Sequence, residues 1–229
     1  MPEIVSVDAG GVRHSMRRWP CTQPTKPPVV LLPGTGATAE DWDEIAADLQ
    51  ADRTAVAVDL RGHGQSDWPG TYSIRMMADD LTGLLPRLGA SEVDLVGHSL
   101  GGLVACLATA SGAAPVRRLV LEDVGVPHPR QPAMPARPDG ELVFDWAVVE
   151  QVRPEIDNPA EHWPQTMAGI AAPTLVIGGG ATSFVPQEHV AELATTLSQA
   201  TMVTIDAGHE VHAGRPREFL AELRAFLDD

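Results

Sequence analysis

The stretch Val93–Ala105, VDLVGHSLGGLVA, decides the fold. VDLV is a short apolar run of the kind found in strands covered on both faces, and LGGLVACLATA after it has the composition of a buried helix. Between them Gly97, Ser99 and Gly101 form G-x-S-x-G. Given the 21 glycines and nine serines of this chain, composition alone would produce that pattern about 0.08 times per chain, so chance explains it poorly. A strand that turns sharply into a helix crowds the neighbouring Cβ atoms and strains the central residue, hence the flanking glycines. The turn pushes the Ser99 hydroxyl out at the C-terminal edge of a sheet. There the helix N-terminus and the Leu100 N–H can stabilise developing negative charge.

Outward from this point the same rhythm repeats. Val12–Trp19 and the alternating residues before it predict a hairpin turning at Gly10–Gly11. VVLL (29–32) reads as a buried strand, and Thr38 precedes AEDWDEIAADL, with apolar residues at helical spacing and acidic residues in the first turn. TAVAVD (54–59), a helix around MADDLTGLLPRLG, VRRLVLE (116–122), PTLVIGGG (173–180), a helix near 187–198, TMVTIDAGHE (201–210) and PREFLAELRAFL complete the series. Strands alternating with helices predict an α/β fold, a mostly parallel central sheet flanked by helices and joined by right-handed crossovers. The rhythm breaks over 124–172, a proline-rich stretch with a helical-looking LVFDWAVVEQV. The expected organisation is a core of 1–123 and 173–229, with 124–172 a short helical lid inserted after the sixth strand. Phe144 and Trp146, with Met134, Trp163 and Met167, are candidates to wall an apolar substrate pocket, and Phe184 and Val185 could also face the cleft.

The 229 residues suffice for one sizeable core, and 44% hydrophobic with 21% charged residues excludes a chain held open by its own charge. A net charge of −15 repels phosphate backbones and anionic lipid, so neither nucleic acid nor a membrane is an expected partner. It also biases the expected substrate towards neutral or cationic small molecules. No signal-like segment or long apolar run is evident, which predicts a cytoplasmic protein. Cys21 and Cys106 supply neither a disulfide framework nor a metal site, and no metal or cofactor is expected. Monomer and homodimer are both open.

A serine hydroxyl needs a general base to act as a nucleophile near neutral pH. Of eight histidines, His209 follows the strand-like MVTI and Ala207–Gly208, which places it on a loop at the same sheet edge as Ser99. His212 reads as a helix-start or packing residue, His63 as a support for its glycine-rich loop, and His98 as structural.

Together LLPGTGATAEDWDEIAADL, VDLRGHGQSD, LVGHSLGG and DAGHEVHAGRPREF resemble, in order, the motifs of the α/β-hydrolases, in particular small bacterial esterase- or lipase-like members. The resemblance implies Ser99 as nucleophile, His209 as base, and Thr35 and Leu100 as oxyanion-hole amides, with Gly34 and Gly36 allowing close approach. Pro33 replaces a common histidine, which leaves the backbone donors unaffected. The acid departs from the usual pattern. Many relatives carry an aspartate after the penultimate strand, where this chain has Thr182. Others carry it at the end of the preceding strand, which here offers Asp123, with adjacent Glu122 as the alternative. Another acid such as Asp145, or a serine–histidine dyad oriented by Ser183, also stays open. The function implied is hydrolysis of an ester, thioester or lactone of a small apolar molecule through an acyl-enzyme. A small-ligand receptor, or a lyase or carbon–carbon hydrolase on the same residues, is the alternative.

Overall fold

In the computed structural model, which describes residues 1–229, β1 (Glu3–Ala9) and β2 (Val12–Trp19) form the expected hairpin. Gly10 and Gly11 have φ of 59° and 76°, the pair of left-handed residues a tight two-residue hairpin requires. Six further strands follow: β3 (Val29–Leu32), β4 (Ala55–Val58), β5 (Val93–His98), β6 (Val116–Glu122), β7 (Thr174–Gly178) and β8 (Ala200–Thr204). The sheet order is β1-β2-β4-β3-β5-β6-β7-β8. Only β2 runs antiparallel to its neighbours.

The helices are α1 (Asp43–Leu49), α2 (Ile74–Leu84), α3 (Leu100–Ala110), α4 (Ala147–Asp157), α5 (Trp163–Ala168), α6 (Gln187–Thr196), α7 (Val211–Gly214) and α8 (Pro216–Asp228). They cover both faces of the sheet, and the strand alternation shows it. Val30, Leu32, Val56 and Leu95 pack with α2, α3 and α6, whereas Val29, Leu31, Ala57 and Val96 pack with α1 and α8. Burial on both faces is why these strands read as unbroken apolar runs. The one charged residue inside such a run, Asp94, is buried against Arg53 and Arg117 at 3.4 and 2.7 Å.

Between β6 and β7 the chain leaves the sheet. Residues 127–146 hold no helix, and α4 starts only at Ala147, whose N–H donates to Asp145 Oδ1 at 3.0 Å. Phe144, expected within that helix, instead makes an isolated antiparallel bridge with His63. No helix is long and apolar enough to cross a membrane.

Candidate active site

Ser99 sits between β5 and α3 with φ 50° and ψ −117°, a conformation that costs an L-residue roughly 1–3 kcal/mol. A Cβ on Gly97 would lie 2.6 Å from the Gly101 carbonyl oxygen, and one on Gly101 would lie 2.5 Å from that of Leu32. Backbone occupies both places, so only glycine fits on either side of the serine. The strained residue is tied into the structure at both ends. Its N–H donates to Glu122 O at 3.1 Å, and its carbonyl accepts from the Gly102 and Leu103 amides at 3.0 and 3.1 Å.

Two amides adjoin it. Leu100 opens α3, where backbone N–H groups have no intrahelical acceptor. Thr35 lies on the loop after β3, and its N–H has no acceptor within the chain. The next amide, Gly36 N–H, donates to His63 Nε2 at 3.2 Å, while His63 Nδ1 meets Arg61 O at 3.1 Å. Burial pushes the His63 pKa down to about 4 against the smaller opposing effect of the Arg61 carbonyl, so the ring is neutral. These partners assign its proton to Nδ1, and Nε2 braces the Thr35 loop as an acceptor.

His209 Nδ1 lies 2.7 Å from Asp123 Oδ2. Asp123 stands one residue beyond β6 with φ 49° and is almost wholly buried. Its carboxylate also accepts from Gly179 N–H at 2.9 Å, from Gln187 Nε2 at 3.0 Å and from the Ser183 hydroxyl. Burial pushes its pKa up, but the hydrogen bonds from His209, Ser183, Gln187 and Gly179 outweigh burial and hold it below the ordinary value. An ionised Asp123 fixes the proton of a neutral His209 on Nδ1 and leaves Nε2 as the basic nitrogen. Ser99 and His209 line one cavity. No hydrogen bond joins them in this structure, and in unliganded enzymes such contacts commonly close only around substrate. His98 Nε2 meets the His209 carbonyl at 2.9 Å and so anchors the loop that carries His209.

The adjacent carboxylate serves a different histidine. Glu122 Oε1 accepts from both the N–H and Nδ1 of His212 at 2.8 Å, deep in the core. His212 stacks on Trp42 with ring centroids 4.1 Å apart. Burial raises the Glu122 pKa, but the neighbouring His98 and His212 outweigh it and bring it below the ordinary value. Asp145 accepts from Tyr72 at 2.7 Å and caps α4, and Ser183 binds Asp123 rather than replacing it. Among the candidate acids, Asp123 is therefore the one paired with His209.

The comparisons with known proteins agree with this architecture. Residues 27–170 match the family described as alpha/beta hydrolase fold, a match that includes Ser99 and Asp123 and ends before His209. The chain belongs to the α/β-hydrolase family. It is 28% identical over 276 residues to the esterase Rv0045c of Mycobacterium tuberculosis, covering 100% of this chain and 90% of the relative. To the sn-1-specific diacylglycerol lipase ABHD11 of Mus musculus it is 27% identical over 250 residues, 89% of this chain and 81% of the relative. The enol-lactonase of Burkholderia xenovorans LB400 superposes with a TM-score of 0.82 at 19% identity, over 98% of this chain and 100% of that one, which speaks for the fold.

The cavity of this α/β-hydrolase measures about 850 Å³. Gly34, Thr35, Ser99, Leu100 and His209 line it on the side of the sheet loops, and Gly34 also packs over the His98 ring. Part of the lining comes from α4, which presents Val149, Val152, Arg153 and Ile156 at helical spacing. Phe184 and Val185 line it as expected. Phe144 and Trp146 do not. Phe144 stacks on His63 with centroids 5.6 Å apart and contacts Gly36, and Trp146 lies beside Phe144. The bridge to His63 directs these aromatics to the loop after β4 instead of the cavity. Trp163 and Met167 are buried in the core, and the exposed Met134 is not a lining residue. The helical spacing of Val149, Val152, Arg153 and Ile156 is the signal in the sequence that marks these lining residues.

Proposed function

We propose that this α/β-hydrolase cleaves a carboxylic ester, thioester or lactone of a small, mostly apolar substrate, with Ser99 as nucleophile, His209 as general base and Asp123 as the acid. The observation that carries the reading is the 2.7 Å pairing of His209 Nδ1 with a buried, ionised Asp123, on the same cavity as the strained Ser99. His209 Nε2 takes the Ser99 proton as Oγ attacks the carbonyl carbon. The resulting oxyanion accepts from the Thr35 and Leu100 amides. Collapse of the tetrahedral intermediate breaks the bond to the leaving group, which takes the proton from His209. Water, deprotonated by the same nitrogen, then attacks the acyl carbon and regenerates Ser99. Asp123 stays ionised throughout and stabilises the imidazolium.

The neutral Thr182 is the feature that favours a receptor, and the pairing of Asp123 with His209 supports the hydrolase reading instead. Residues 124–172 form a lid over the site in this reading, since α4 supplies one cavity wall. A panel of p-nitrophenyl esters of increasing acyl length, with lactones and thioesters, tests the proposal. Turnover of at least one class that is lost in Ser99→Ala supports it, and turnover retained in that variant contradicts it.

A further inference from the structure

The cavity that holds Ser99 also holds two guanidinium groups that the chemistry above does not use. Arg153, on α4, and Arg130, on the segment between β6 and α4, both line the cavity. Each places its Nε on one oxygen of Asp157, Arg130 at 2.5 Å and Arg153 at 2.8 Å. Asp157 is 2% exposed. Its second oxygen accepts from Ala133 N–H at 3.2 Å, and its backbone carbonyl accepts from Arg130 N–H at 2.9 Å. A buried carboxylate thus fixes the position of both arginines. It engages only Nε in each case. Both guanidiniums are ion-paired with Asp157, and their terminal nitrogens make no hydrogen bond within the chain.

Two positive groups therefore share one carboxylate and keep four nitrogens without a hydrogen-bond partner in the chain, on a cavity whose lining also includes the apolar Val149, Val152 and Ile156. The other carboxylates on the cavity do not pair with them: Asp123 is bound to His209, and Glu210 makes no ion pair with either arginine. A planar guanidinium fork matches a carboxylate in a two-bond geometry. The chain's net charge of −15 disfavours a dianion, so a singly charged group fits best.

We infer that Arg153 and Arg130 bind a carboxylate on the substrate, at the end away from the scissile carbonyl, so that the preferred substrates are apolar esters ending in a free acid. This rests on the hydrolase reading above and runs against the neutral or cationic substrates that net charge alone predicts, because the local field of the cavity differs from the average over the surface.

The test uses mono-p-nitrophenyl esters of dicarboxylic acids, from glutarate to suberate, each against the methyl-ended ester of equal chain length. For at least one length, kcat/KM should favour the acid-ended ester by about tenfold to a hundredfold, the value of charge-assisted hydrogen bonds. Arg153→Gln and Arg130→Gln should each reduce that ratio about tenfold, and Arg153→Lys, which keeps the charge and loses the fork, by less. Using the ratio cancels any general loss from disturbing Asp157. A wild-type ratio near or below one at every length, or a ratio unchanged in both glutamine variants, overturns the inference. Calorimetric binding of the same ester pairs to Ser99→Ala separates this failure from that of the hydrolase reading. Tighter binding of the acid-ended ester that is lost with Arg153→Gln supports the arginine site even if turnover survives without Ser99. Equal binding of both esters refutes it.

Discussion

Ser99 and Asp123 share a backbone state that no other non-glycine residue of the chain adopts, with φ of 50° and 49°. They stand at the ends of the neighbouring strands β5 and β6, and each is pinned across the sheet, Ser99 N–H to Glu122 O at 3.1 Å and Asp123 N–H to Ile177 O at 2.7 Å. The fold thus holds both residues where local preference opposes them, and strain of this kind concentrates at functional sites.

Strain at the serine predicts a separation of stability from activity. Ser99→Gly should melt at or above the wild-type temperature, because relief of an unfavourable φ offsets the added freedom of the unfolded chain, about 1 kcal/mol. Ester turnover should vanish. Calorimetric melting alongside an activity assay checks this, and a fall of several degrees would show that the serine backbone is not strained.

The acid is tested by three substitutions compared in one assay. Asp123→Asn should lower kcat by a factor of about 10² to 10⁴, since the asparagine can no longer hold the correct tautomer or stabilise the imidazolium. Thr182→Ala should be nearly silent, and Glu122→Gln should act mainly on stability. A larger kinetic loss for Glu122→Gln than for Asp123→Asn would reverse the assignment.

The Glu122–His212 pair predicts a pH window of stability. His212 is held above its ordinary value of 6.5, because Glu122 and nearby acids outweigh burial, so its contribution is complete below 6.5 and is lost as pH rises through the higher folded value. Glu122 is held below its ordinary value of 4.5, so its contribution is complete above 4.5 and is lost as pH falls through the lower folded value. The stability difference between wild type and Glu122→Gln should therefore peak between these limits, on the order of 3–5 kcal/mol, and shrink on either side. Denaturant titrations from about pH 4 to 9 measure it. A difference independent of pH would mean that the pair is not ionised.

His63 supports the Thr35 loop only as a neutral acceptor. His63→Leu should lower kcat about tenfold, the effect of one lost hydrogen bond, by loosening the loop that carries Thr35. Because burial keeps the ring neutral down to about pH 4, the ratio of wild-type to variant rates should be flat from about pH 5 to 9. A ratio that changes through pH 6–7 would indicate a charged role.

Much of this was legible in the sequence, for identifiable reasons. The buried strands β3 to β7 announce themselves because both faces are covered, and the glycines around Ser99 because backbone fills the space of a side chain. His209 followed from its place after β8. Glu122 and Asp123 could not be separated by strand alternation, because Asp123 lies just beyond β6 and its positive φ turns its carboxylate towards a different histidine from its neighbour's. The cavity wall was misread for a non-local reason. Whether Phe144 faces a pocket depends on its bridge to His63, a pairing between distant segments that no local pattern reveals. Arg130 and Arg153 likewise gain meaning only when Asp157 brings them together.

The most direct test of the central claim is labelling with a fluorophosphonate followed by peptide mapping. The account predicts one covalent adduct, on Ser99, formed rapidly by the wild type, slowly by Asp123→Asn and not at all by Ser99→Ala. An unlabelled wild type, or an adduct on any other serine, would contradict it.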